Sequence, residues 1–274
     1  MYVTRADDWN MAQPDFWAGL ACVGALGLVT GSAASHRSYA SAGALVGFMV
    51  LVKPHYVLTA IPLVAAAWSR YGFSRQSISL VAATAGGTIT VLVLAVAALA
   101  SVGALEAMLG TMVQFNLQHH VGRLEMTLSE VVGMVLSDFV SIWRFGRPLL
   151  AGVGLVALYA RCGWPVVAPL LAMLVVTYVV GVVQLKWYRY HFYPLDLVMT
   201  IPCAYALIAV AREVVRAPAG RDLRQAALMS AIVAGLFLHM MRFPAEHLTE
   251  STVYQWKRVA GLSGPPASGQ RLQS

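Results

Sequence analysis

Between Ser77 and Leu105 the chain carries no charged side chain. A helix over that run would exceed the roughly 30 Å thickness of a bilayer's hydrocarbon core. A water-soluble fold would have to cover it on every side, and the rest of the sequence has little polar surface for the purpose. Hydrophobic residues make up 59% of the 274-residue chain and charged ones only 11%, against about 25% charged in soluble domains. The fold class read from this is all-α, a polytopic transmembrane helical bundle.

About eight apolar segments can be traced, including Phe16–Ser35, Tyr39–Val52, His55–Trp68, Ser77–Leu105, Pro148–Ala160, Val166–Val183, Leu195–Ala211 and Ala226–Met241. Two of them, Tyr39–Val52 and His55–Trp68, are short for a full span of about 20 residues. They meet at Lys53-Pro54. Pro54 cannot donate a backbone hydrogen bond and disfavours helix at Lys53, so two short helices meeting at a break are expected, with one kinked helix as the alternative. Gly43 and Gly47 form a GxxxG pair that permits close helix contact. Residues 1–15 form a polar N-terminal segment, 16–242 the helical domain and 243–274 a polar tail. Within the domain, residues 106–147 read as an interfacial outer-face region. Residues 1–14 contain no apolar core of a cleavable signal, so the first apolar run would direct insertion.

The formal charge of +7 is read through topology. With the N-terminus outside, Arg37, Arg70, Arg75, Arg161 and the Arg212–Arg224 cluster fall inside, as the positive-inside rule requires. Lys53, Lys186 and Arg189 then lie outside, against that bias. An anionic ligand explains such cations better than topology does. No basic face with interleaved aromatics occurs, so nucleic acid is excluded as a partner. Cys22, Cys162 and Cys203 have no metal spacing and read as small core residues. Adjacent histidines point different ways on a helix, so His119 and His120 are poor joint metal ligands. Asp138 reads as a helix-end residue or a polar contact.

The densest chemistry lies in Gln184–Pro194, where Lys186, Arg189 and His191 are interleaved with Trp187, Tyr188, Tyr190, Phe192 and Tyr193. Lys186, Arg189 and His191 together can clamp a phosphate or diphosphate, Lys as a point charge and Arg as a bidentate fork. Tyr188 and Tyr190 can stack on a sugar. An aromatic belt with snorkelling cations would account for Trp187, Phe192 and Tyr193. On this topology Lys53 and His55 reach the same face, where Lys53 either snorkels to headgroups or lines a cavity.

Three segments resemble GT-C-type polytopic glycosyltransferases. Gly43-x3-Gly47 through Lys53-Pro54-His55 is similar to their small-residue helix followed by Lys-Pro. Gln184-x-Lys186-x3-Tyr190-His191-x2-Pro194 is similar to their late outer-face motif, and Ala12-Gln13-Pro14-Asp15-Phe16 loosely resembles the acid-bearing entry to the helix before Lys-Pro. The resemblance implies a polyprenyl-phosphate sugar as donor, a glycan or lipid acceptor, and action on the outer face of a bacterial inner or plasma membrane. It places Lys53, Lys186 and His191 near the donor phosphate. The family's catalytic carboxylate lies in a first outer loop upstream of this pattern. Either an N-terminal part that bears it is missing, or Asp7 and Asp8 serve as the catalytic carboxylates that deprotonate the acceptor. The metal requirement stays open, with a divalent cation as one option. Membrane lipid and a lipid-linked sugar are the expected partners. A transporter or flippase for an anionic lipid or solute, or a non-catalytic membrane subunit, are the competing readings.

Overall fold

The computed structural model describes residues 14–31, 34–111, 147–183 and 189–216, with short pieces between 127 and 137. Among the described residues every regular element is a helix. The main helices are α1 (Pro14–Thr30), α2 (His36–Val52), α3 (Ala60–Tyr71), α4 (Arg75–Ser101), the short α5 (Leu105–Leu109), α6 (Arg147–Cys162), α7 (Trp164–Val183) and α8 (Tyr193–Arg216). A 3-10 turn at Pro54–Thr59 leads into α3, and another at Arg189–Phe192 leads into α8.

Helix ends follow local chemistry. Pro14 opens α1 with Asp15 in the first turn, where a missing N–H costs nothing and a carboxylate meets the positive end of the helix dipole. Ser74 and Ser77 form a reciprocal capping box at the start of α4. Gly72, at φ +60°, ends α3, its N–H donating to the Trp68 carbonyl at 2.8 Å. The break after α2 is a true interruption: Lys53 is extended, with φ −153° and ψ 126°, and Pro54 starts the 3-10 turn. The two short apolar runs are therefore separate helices. The first run is shorter than expected, ending at Thr30 with Gly31 in a bend.

Among the described residues three helices are long and apolar enough to cross a membrane: α4 with 27 residues, α7 with 20, and the 20-residue Tyr193–Arg212 part of α8. Helix α1, with 17 residues, is apolar but shorter. The Ala226–Met241 run, the polar tail and most of residues 106–147 lie outside the described residues.

Packing fixes the directions. Asp15 of α1 meets Lys53, Cys22 meets Met49, and Gly24 lies against Leu45, so α1 and α2 are antiparallel. His36 bonds Ser79 at 2.8 Å while Gly47 faces Thr88, so α2 and α4 run parallel. Any Cβ on Gly43 would collide with the Thr84 carbonyl, and any Cβ on Gly87 with that of Ala40. The GxxxG pair thus serves this crossing, and Thr88 Oγ1 donates across it to the Gly43 carbonyl at 2.9 Å. Helices α6 and α8 cross equally closely, with Gly154 against the Pro202 carbonyl. The main apolar core runs through α1, α2, α3 and α7, and a smaller one joins α6 to α8 beside α7. Helix α4 sits at the edge, with Ile89, Val93, Leu94 and Val96 exposed. Cys22 and Cys203 are buried, as small core residues should be, but Cys162 is exposed.

Candidate functional site

At one end of the bundle, the start of α1 and the break after α2 meet. The Lys53 ammonium donates to Asp15 Oδ2 at 2.6 Å, and the Tyr56 hydroxyl donates to Asp15 Oδ1 at 2.7 Å. The Asp15 side chain is 0% exposed and that of Lys53 24%. Both carboxylate oxygens are engaged, so a buried anion is balanced by a cation and a neutral donor. That combination lets a charge persist away from water. The local sequence explains the geometry. Because Lys53 is extended and Pro54 starts a tight turn, Lys53 leaves the α2 axis and Tyr56 comes round beneath it. Thr59 Oγ1 closes the turn on the Tyr56 carbonyl at 2.6 Å.

His55 lies beside Tyr56, with ring centroids 5.2 Å apart. Its Nε2 is buried with no hydrogen-bond partner among the described residues. The turn lies outside the three long apolar helices. There burial, then the Lys53 charge, lower the imidazole below its ordinary value, while Asp15 acts in the opposite sense. Burial and then Asp15 raise the Tyr56 phenol, which keeps it a donor.

The second 3-10 turn belongs to the same end. Gly19, one turn into α1, is so close to α8 that a Cβ would lie 3.0 Å from Pro194 Cα and 2.6 Å from Leu197 Cδ1. His191 in that turn is buried, at 3% exposure. Phe192 is also buried, filling the space over Gly181 and facing Tyr178 at 6.1 Å. Phe192 is thus a core plug, not a belt residue. Only the backbone of Arg189 and Tyr190 is described, and Asp7, Asp8, Lys186, Tyr188, His119, His120 and Asp138 lie outside the described residues. A further ion pair stands at the start of α6 and α8, where Arg147 Nη1 donates to Asp196 Oδ1 at 2.9 Å.

Of the residues singled out in the sequence, Lys53, His55 and His191 thus come to one end of the bundle. Sequence reasoning missed Asp15 as the partner of Lys53, Tyr56 as its second ligand, and the Arg147–Asp196 pair. Pro14-Asp15 and Lys53-Pro54 were visible as helix-edge dipeptides, but nothing in their spacing joins them. Among the described residues no group of His, Cys, Asp and Glu could hold a metal ion. Chemically, the arrangement offers a pinned cation beside a buried carboxylate whose oxygens are both occupied. Such a carboxylate orients a lysine; it is poorly placed to take a proton from a substrate.

No protein-family model, curated protein or solved structure matches the chain.

Proposed function

We propose that the chain is a multi-pass membrane protein of GT-C glycosyltransferase type, with a site for a lipid-linked sugar phosphate at its Lys53 end. The observation that carries this reading is the convergence of the three GT-C-like segments. The Asp15–Lys53 bond of 2.6 Å ties the acid-bearing entry to the Lys-Pro segment, and the Gly19–Pro194 approach brings the end of the late motif beside them. These segments are far apart in sequence, and a loose likeness in each gives no reason for all three to meet.

The distribution of charge supports an outward-facing site. Arg70 donates to the Thr30 and Gly31 carbonyls at 3.2 Å, which puts it with His36 and Arg37 at the opposite end. Trp164, near Arg161, shares an apolar groove with Trp68 at that same end. A bundle with those arginines inside leaves Lys53 outside, in a bacterial inner or plasma membrane. Helices α1, α2, α3 and α6 then join the three long apolar helices as traversing segments, within the eight read from the sequence.

In the transfer, the acceptor hydroxyl attacks the anomeric carbon and the sugar–phosphate bond breaks, leaving charge on the phosphate. Lys53, held by Asp15, stabilises that charge as it develops, with Lys186 and Arg189 adding to the field. His191, buried as it is, supports the turn that carries Arg189. Asp7 or Asp8 takes the acceptor proton.

The test uses a double variant that removes charge and counter-charge together, Lys53→Met with Asp15→Leu, so that neither is left buried alone. Membranes bearing it are supplied with radiolabelled polyprenyl-phosphate sugars. Loss of transfer with normal insertion is the expected outcome. Unchanged transfer, or a wild-type chain that instead moves an anionic solute with no glycan product, would overturn the reading.

A further inference from the structure

The end of the bundle that holds Lys53 carries a second pair built on the same plan. Arg147 opens α6 and is followed by Pro148, as Lys53 is followed by Pro54. Asp196 stands in the first turn of α8, two residues after Pro194, as Asp15 follows Pro14 in the first turn of α1. The two acceptor helices run side by side from that end, since Gly19 abuts Pro194 and Leu197. Lys53 and Arg147 keep similar side-chain exposure, 24% and 22%.

The pairs differ in how the cation is used. Asp15 is saturated by Lys53 and Tyr56. Arg147 reaches Asp196 through Nη1, and its Nε is buried with no hydrogen-bond partner. A buried donor left without an acceptor is costly, more so when it is charged. An Arg–Asp pair serving only to pin α6 to α8 is best made side-on, two N–H groups to two oxygens. Here the Nε–Nη2 edge, the one that fits two oxygens of a phosphate, is not spent on Asp196. No other described residue supplies Nε with an acceptor.

We propose that Arg147 is a second anion-binding residue at this end: Asp196 holds Nη1, and the Nε–Nη2 edge takes two oxygens of a phosphate group. The inference rests on the reading of this end as a phosphate site and extends it. It adds a planar fork, which fixes the orientation of the phosphate, to the point charge of Lys53. The phosphate is carried by a membrane lipid or is free in solution, and the two sources are separable by experiment.

Purified protein in nanodiscs is titrated with polyprenyl phosphate, with a polyprenol of the same length, and with inorganic pyrophosphate. Wild type is expected to bind polyprenyl phosphate and not the alcohol. Arg147→Lys keeps the charge and removes the fork, so it should weaken binding about tenfold or more, with its thermal midpoint close to wild type. Equal affinity in wild type and Arg147→Lys overturns the inference and leaves the lipid-phosphate reading standing. Binding of pyrophosphate alone, lost in Arg147→Lys, keeps the inference and overturns the lipid-linked donor. Binding of none of the three overturns both. If Arg147→Lys does not fold, phenylglyoxal modification of wild type is mapped with and without polyprenyl phosphate. The expected result is protection of Arg147, with Arg70 and Arg161 unprotected at the opposite end. Equal modification of Arg147 in the two samples overturns the inference.

Discussion

Asp15 is the residue on which the Lys53 end depends most. It is a fully buried anion, and its charge is tolerable only while Lys53 and Tyr56 stay in place. Lys53→Ala should therefore destabilise the fold by about 3–5 kcal/mol, because it strands a buried carboxylate. Tyr56→Phe should cost about 1.5–3 kcal/mol, the value of a hydrogen bond to a charged group. The Lys53→Met, Asp15→Leu double variant should recover most of the loss. Equilibrium denaturation in detergent micelles measures all three, and a Lys53→Ala chain as stable as wild type would remove the argument. The sequence made Lys53 conspicuous, since a cation before Pro at the edge of an apolar run invites a reason. It could not reveal the partner. In the sequence Asp15 is only the acid of a loose entry motif, and only the antiparallel pairing of α1 and α2 brings it to Lys53. The same holds for Arg147 and Asp196, which only the crossing of α6 and α8 unites.

At the scale of the element, helix existence was legible because uncharged runs without water to satisfy their backbones have few other conformations. The break between α2 and α3 was legible too, through Pro54. Helix ends were less so: the apolar run through Ser35 continues past Thr30, yet the chain turns at Gly31 to bring α2 back along α1. Weak motifs acquired meaning only in contact. Gly43-x3-Gly47 is one of many small-residue patterns, but here Thr84 and Thr88 of α4 lie against it. Gly43→Leu should force α2 from α4, break the Thr88–Gly43 bond and lower the yield of monodisperse protein sharply. Gly27→Ala is the matched control, since nothing lies within 4 Å of its Cβ position. It should be neutral or stabilising by up to about 1 kcal/mol, the helix-propensity gain. Size-exclusion profiles and thermal midpoints of the two variants separate a specific crossing from general tolerance of small residues.

For the whole molecule, the bundle sorts its chemistry by end. One end gathers Asp15, Lys53, His191, Arg147 and Asp196, and the other gathers Arg37, Arg70 and Arg161. Cys162 is exposed and precedes Gly163 in the turn at the arginine end. In intact cells a membrane-impermeant maleimide should fail to label Cys162 yet label a Gly103→Cys variant, because Gly103 follows α4 at the Lys53 end. The reverse pattern would turn the proposed orientation over. The Asp15–Lys53 bond also bears on the order of biosynthesis. Helix α1 leaves the ribosome with its carboxylate well before Lys53 exists, so the Asp15 charge lacks its cation while α2 is still being made. Only when the chain has grown past Pro54 can that charge be neutralised from within. The hairpin of α1 and α2 is thus closed by its own ion pair before α4 and the later helices are made.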